Sequence, residues 1–102
     1  MHPFVMLQKI VEDLGATLIE QDYRPDVFGS ALAVYSQSGN SIRIVWDGKE
    51  GWGILQSPQS DGSWKDAAPL LKECDLEGVP KNHAKIQEFT RAAAGLLSAG
   101  AA

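Results

Sequence analysis

The sequence contains few of the residues on which catalytic and metal sites depend. It has one cysteine, Cys74, and two histidines, His2 and His83. A single cysteine excludes a disulfide within these 102 residues and is typical of a reducing compartment. Scattered residues of this kind do not form the clustered ligand set of a zinc site, and the spacings of calcium loops and phosphate loops are absent. We therefore expect no metal and no cofactor.

The chain also lacks an excess of positive charge and any long apolar run. Nine Lys and Arg residues stand against 13 Asp and Glu residues, which gives a net charge of −4. Phosphate backbones and anionic membranes repel a protein of this charge. No run of about 18 apolar residues could span a bilayer, and the first residues do not have the pattern of a secretory signal. We expect no nucleic-acid or membrane partner and a cytoplasmic location.

The composition predicts a folded protein with a core. Hydrophobic residues make up 44% of the chain and charged residues 22%, as in ordinary globular domains. A chain of this length corresponds to one domain. We assign residues 1–98 to a single α+β domain and expect residues 99–102 to form a disordered tail.

Apolar residues recur at helical spacing near both ends of the chain, which predicts two amphipathic helices. Gly15 is expected to end the first helix, and the second is expected from Asn82 onward. The apolar positions are Phe4, Leu7, Val11 and Leu14 in the first helix, and Ile86, Phe89, Ala93, Leu96 and Leu97 in the second.

Between the helices the apolar residues alternate, which predicts an antiparallel meander of three to four strands. The strands are expected at residues 17–23, 31–37, 41–47 and 52–57. Ile42, Ile44 and Trp46 share one side of their strand, so we expect the helices to pack on one sheet face. After the meander, Asp66 is predicted to cap a short helical turn that contains Leu71.

Aromatic and acidic residues near the strand ends predict a surface for a protein partner. Tryptophan and tyrosine often anchor protein interfaces, although such residues also cover the edges of small cores. Large aromatic side chains ringed by negative charge would suit a partner with a basic cleft. The predicted partner-binding residues are Asp22, Tyr23, Asp26, Phe28, Asp47, Glu50, Trp52, Asp61 and Trp64.

Two segments, residues 23–30 and 42–52, resemble small immunity proteins of bacterial polymorphic toxin systems. The motifs are Phe-Gly-Ser at 28–30, Arg-Ile-Val-Trp-Asp-Gly at 43–48 and the tryptophan at 52. The resemblance implies a cytoplasmic protein that binds a cognate toxin and covers its active site. A toxin with a basic nucleic-acid-binding or nucleotide-binding cleft would complement the negative charge.

Two other functions remain open at this point. A small acidic chaperone or adaptor of a secreted effector has similar length and charge, and typically dimerises. A small enzyme or ligand-binding domain is the other alternative, with Cys74 and His83 as a conceivable nucleophile and base. Neither residue has an evident partner in the sequence, so we predict that the protein is not an enzyme. The oligomeric state is left open.

Overall fold

The chain, described here from a computed structural model, forms an antiparallel sheet with helices on one face. The structure describes residues 3–24, 26, 29–67, 71–72 and 83–98. The elements are α1 (Pro3–Asp13), β1 (Thr17–Arg24), β2 (Ser30–Gln37), β3 (Asn40–Asp47), β4 (Trp52–Pro58), β5 (Trp64–Asp66), β6 (Leu71–Lys72) and α2 (His83–Ser98). Strands β1 to β5 lie side by side in chain order, and β6 pairs with β4. The α+β class predicted from the sequence is confirmed.

Both helices bury most of the apolar positions that their periodicity predicted, while Leu14, Ile86 and Leu96 are partly buried. The buried side chains are Phe4, Leu7 and Val11 of α1 and Phe89, Ala93 and Leu97 of α2. Gly15 follows α1 with a φ of 97°, a left-handed conformation that glycine adopts without steric cost. Its N–H donates to the Glu12 carbonyl at 2.9 Å, which satisfies one of the carbonyls left free at the end of the helix.

The core lies between the helices and the inner face of the sheet. Trp46 of β3 pairs with Ala31 of β2 and with Gly53 of β4, so two small residues flank the large indole. A Cβ atom at Gly53 would lie 2.7 Å from Leu7 Cδ1 and 2.9 Å from Trp46 Cε3. A larger residue would displace Leu7 or Trp46, so glycine at this position allows the close approach of α1 to the sheet.

Hydrogen bonds between described residues join the helical segments to the strands beneath them. The buried Tyr35 hydroxyl donates to Glu12 Oε2 at 2.6 Å. The Gln37 amide donates to the Leu14 carbonyl at 3.2 Å, and the Asn40 amide donates to the Leu97 carbonyl at 2.9 Å. Burial, followed by the hydrogen bond to Glu12, raises the pKa of Tyr35 well above its ordinary value. The hydroxyl therefore stays protonated and continues to donate.

The region after β4 differs from the prediction. Trp64–Asp66 form a strand against β4, and Leu71–Lys72 form another, whereas a short helical turn was expected there. Gln56 pairs with Asp66 in the sheet ladder, so Asp66 is the last residue of a strand. The expected three to four strands thus become five in chain order plus β6. Residues 68–70 and the predicted tail at 99–102 lie outside the described part of the chain.

Candidate functional site

The sheet face that points away from the helices, here called the open face, carries an apolar strip across its centre. Strand pairing aligns Asp22, Leu32, Val45 and Ile54 in one row from β1 to β4. Leu32 and Val45 are half-buried, and Ile54 is buried. The strip is continuous because antiparallel register places directly opposed residues on the same face.

A cavity of 520 Å³, open to solvent, lies on this strip near the ends of β1 and β3. Leu32 and Val45 line it together with the ring of Trp52, which pairs with Asp47 in the adjacent row. Most of the lining is apolar, as in sites that take up a hydrophobic side chain or small molecule. The charged residues at its rim are Asp22, Arg24, Asp47 and Lys49.

Hydrogen bonds hold the rim of the cavity in place. The Asp47 carboxylate accepts from the backbone N–H groups of Lys49 and Glu50, both at 3.0 Å. The Gly48 N–H donates to the Ser30 hydroxyl at 3.0 Å, which ties the β3–β4 turn to β2. A turn fixed in this way presents Trp52 and its neighbours without an ordering cost on binding.

Arg24 and Asp22 form an ion pair at the β1 side of the cavity. Arg24 Nε lies 3.0 Å from Asp22 Oδ2, and both side chains are largely exposed. An exposed pair of this kind adds little stability, since water and salt screen it. Its consequence for the site is electrostatic, because Arg24 offsets the charge of Asp22.

A chain of polar side chains borders the strip on its other side. Arg43 Nε donates to Gln56 Oε1 at 2.8 Å, and the Gln56 amide donates to Asp66 Oδ1 at 3.0 Å. The Arg43 guanidinium also lies over the Trp64 ring, 4.7 Å from its centroid. The pKa of Arg43 is lowered, because the effect of partial burial exceeds the opposing effect of the nearby Glu20 charge. These contacts hold Trp64 against the open face at the end opposite the cavity.

The nine predicted partner-binding residues separate into two ends of the sheet. Six lie at the end with the β3–β4 turn: Asp22, Tyr23, Asp26, Asp47, Glu50 and Trp52. Three of these line the cavity, whereas Tyr23 points to the helix side of the edge strand and is 54% exposed. Asp61 and Trp64 lie at the other end, and Phe28 is outside the described residues.

The rim of the cavity carries charges of both signs. Two bases, Arg24 and Lys49, stand at the rim beside two acids, Asp22 and Asp47. At the far end, Asp61 accepts from the Ser63 N–H at 2.9 Å and from the Ser63 hydroxyl at 2.6 Å. These bonds lower the pKa of Asp61 and show that it shapes the β4–β5 turn.

Sequence reasoning missed the residues that form the floor of the cavity. Leu32 and Val45 look like ordinary strand residues, and only their pairing places them side by side. The alternation in β3 did contain a signal, because Arg43 and Val45 are on the opposite side of the strand from Ile44 and Trp46.

The described residues offer little that resembles a catalytic or metal centre. Among them, no group of three or more His, Cys, Asp or Glu side chains is placed to hold a metal ion. Cys74 and the His83 side chain, the conceivable catalytic pair, lie outside the described part of the chain. The described residues instead form an apolar cavity with a mixed-charge rim.

Neither helix of the described chain combines the length and the apolar content that crossing a bilayer requires. Comparisons with protein-family models, with curated proteins and with solved structures found no match.

Proposed function

We propose that this protein is an immunity protein that binds a cognate bacterial toxin and neutralises it by covering the toxin's active site. The open-face cavity is the observation that carries the proposal. A partner side chain that entered it would contact Leu32, Val45 and Trp52, and buried apolar contacts of this kind supply most of the affinity of protein interfaces.

The distribution of charge supports a partner with a basic surface. The charges of the described helix side chains cancel, since there are three acids and three bases. The strands and their turns carry seven acids, namely Glu20, Asp22, Asp26, Asp47, Glu50, Asp61 and Asp66, against five bases, namely Arg24, Arg43, Lys49, Lys65 and Lys72. Among the described residues the negative excess therefore belongs to the strands and their turns, where it would accelerate encounter with a positive cleft.

The proposed mechanism is occlusion, with no chemical step on this chain. A toxin that acts on nucleic acids or nucleotides needs a positively charged cleft for phosphate groups, and the sheet side would compete for that cleft. The fixed β3–β4 turn and the preformed cavity would lower the entropic cost of docking. Binding is expected at a ratio of one to one.

The test uses the toxin domain encoded by the neighbouring gene. We expect tight association by calorimetry and loss of the toxin's activity at one equivalent. Val45→Arg places a charge in the cavity and should raise the dissociation constant about tenfold or more, equivalent to about 1.4 kcal/mol. Val5→Arg, the same change at a 44%-exposed position on α1, is the matched control and should bind normally.

Each outcome of this experiment has a distinct meaning. Absence of association would overturn the proposed function. Association with equal affinities for Val45→Arg and Val5→Arg would remove the cavity from the interface. Circular dichroism of both variants checks that neither result comes from unfolding.

A chaperone of a secreted effector is the second function that an observation favours. The long exposed edge of β1 could hold an extended segment of a client, as in strand addition. Light scattering separates the two functions, because a monomer that inhibits the toxin contradicts an obligate chaperone dimer.

A further inference from the structure

Strand β1 is a long sheet edge whose outer side no described strand covers. It comprises eight residues, Thr17–Arg24, and is the terminal strand in the order of the sheet. Ile19 is 60% exposed, Tyr23 is 54% exposed and Leu18 is 40% exposed. The opposite edge is divided between β5, of three residues, and β6, of two. Among the described strands, only β1 offers a continuous row of outward backbone N–H and C=O groups.

Strand β1 has part of the protection that natural edge strands carry. Such strands usually contain charged residues, lysine above all, or proline, bulges or covering segments, which hinder pairing with another chain. Between Thr17 and Arg24 there is neither lysine nor proline, and the charged residues are Glu20, Asp22 and Arg24. A register shift between Leu18 and Glu20 is a further protective irregularity, but the pairing from Glu20 to Arg24 is regular. No described strand pairs with the outer side of that regular part, and its acids would repel an acidic strand but attract a basic one.

The side chains of β1 indicate which strand would fit. Pairing with β2 places Glu20 and Asp22 on the open face, and Gln21 and Tyr23 on the helix side. The cation of Arg24 is engaged by Asp22. A strand laid beside β1 would therefore meet carboxylates on one side and a mostly uncharged, partly aromatic surface on the other.

We infer that the β1 edge is a strand-addition site for an extended segment of a partner protein in which lysine or arginine alternates with apolar residues. Basic side chains on the open face would pair with Glu20 and Asp22, and apolar ones would contact Tyr23. A second copy of this chain fits poorly. Antiparallel pairing centred on Gln21 would set the carboxylates of Glu20 and Asp22 opposite each other, and like charges directly opposed are destabilising.

Backbone pairing is tested with a labelled eight-residue peptide that alternates lysine and valine, and with two N-methylated forms of it. In one form the lysine nitrogens are methylated, and in the other the valine nitrogens. A strand points successive N–H groups to opposite sides, so an added strand uses only one of these sets. We expect fluorescence anisotropy to show binding of the parent peptide, about tenfold or greater weakening for one methylated form, and a much smaller change for the other.

Two charge variants locate the site on the full-length protein. Glu20→Lys should weaken binding of the parent peptide several-fold, because it replaces attraction by repulsion at the edge. Glu88→Lys, the same charge change at an exposed position of α2, is the matched control and should have much less effect. Val45→Arg, in the cavity two strands away, should also bind the peptide normally.

This inference goes beyond toxin neutralisation, and its test does not involve the toxin. Failure of the parent peptide to bind, or equal weakening by both methylated forms, would overturn strand addition at β1. Equal affinities for Glu20→Lys and Glu88→Lys would show that the peptide binds elsewhere, and would overturn it as well. These outcomes do not depend on whether a toxin binds through the cavity.

Discussion

The two faces of the sheet bury residues in different ways. On the inner face, Ile44 and Leu55 are fully buried beneath helices. On the open face, Val34 and Ile54 are almost as buried, at 6% and 8% exposed. Both are aliphatic residues of inner strands, flanked on the open face by long side chains; Val34, for example, pairs directly with Arg43. Burial alone therefore does not identify the core of a sheet protein.

The difference between the faces is one of chemistry. The inner face is apolar across its strands and is closed by helices whose charges balance. The open face combines an apolar strip with an ion pair, a hydrogen-bonded polar chain and partly exposed aromatic rings. A face of the first kind supplies stability, whereas a face of the second kind retains groups that can recognise a partner.

The largest expected effect tests this division at two adjacent residues of β3. Ile44→Ala should lower the free energy of unfolding by about 2–5 kcal/mol, since it opens a cavity in the closed core. Val45→Ala removes fewer atoms from a half-buried position and should cost about 1 kcal/mol. Urea denaturation monitored by circular dichroism gives both values. Equal losses would contradict the view that only the inner face is the core.

A smaller effect is expected from two glycines that differ in their surroundings. Gly53→Ala should destabilise the protein by about 1–3 kcal/mol, because the added methyl group meets Leu7 and Trp46. Gly95→Ala, on an exposed part of α2 where nothing lies within 4 Å of the new atom, should stabilise it by about 0.5–1 kcal/mol. Thermal melts of the two variants should shift in opposite directions. Two shifts of the same sign would refute the close-packing role of Gly53.

The smallest effect concerns the polar side of the open face. A double-mutant cycle with Arg43→Met and Trp64→Leu should give a coupling energy of about 0.5–1 kcal/mol, as measured for cation–π pairs near the surface. Urea denaturation gives the free energy of unfolding of the unmodified protein, of the two single variants and of the double variant. A coupling energy of zero would mean that Arg43 and Trp64 do not interact when the protein is in solution.

Local patterns were sufficient for much of the fold. The helical spacing of Phe4, Leu7 and Val11 predicted the buried side of α1, and Gly15 marked its end. In the β2–β3 turn, Ser38 and Gly39 have φ values of 51° and 83°, positive as in the type I′ turns preferred in two-residue hairpins. Such features depend on residues close in the chain, so sequence reasoning can identify them.

Local patterns failed where one contact outside the segment decided the structure. The Asp66 region has plausible helix-capping chemistry, but pairing with Gln56 of β4 makes it a strand. The mixed charge at the rim of the cavity also depends on contacts outside each segment, because strand pairing from β1 through β2 to β3 brings Arg24 near Asp47. The order of residues alone reveals neither the pairing of Asp66 with Gln56 nor the proximity of Arg24 to Asp47.

The sequence by itself determined the class of fold, the buried side of each helix and of β3, and the acidic net charge, because these follow from periodicity and composition. The tertiary structure alone decided which side chains meet across strands. It set Leu32 beside Val45, placed the cavity between them and Trp52, and left β1 at the edge of the sheet. Strand order and register join residues far apart in the chain, and no local periodicity encodes them.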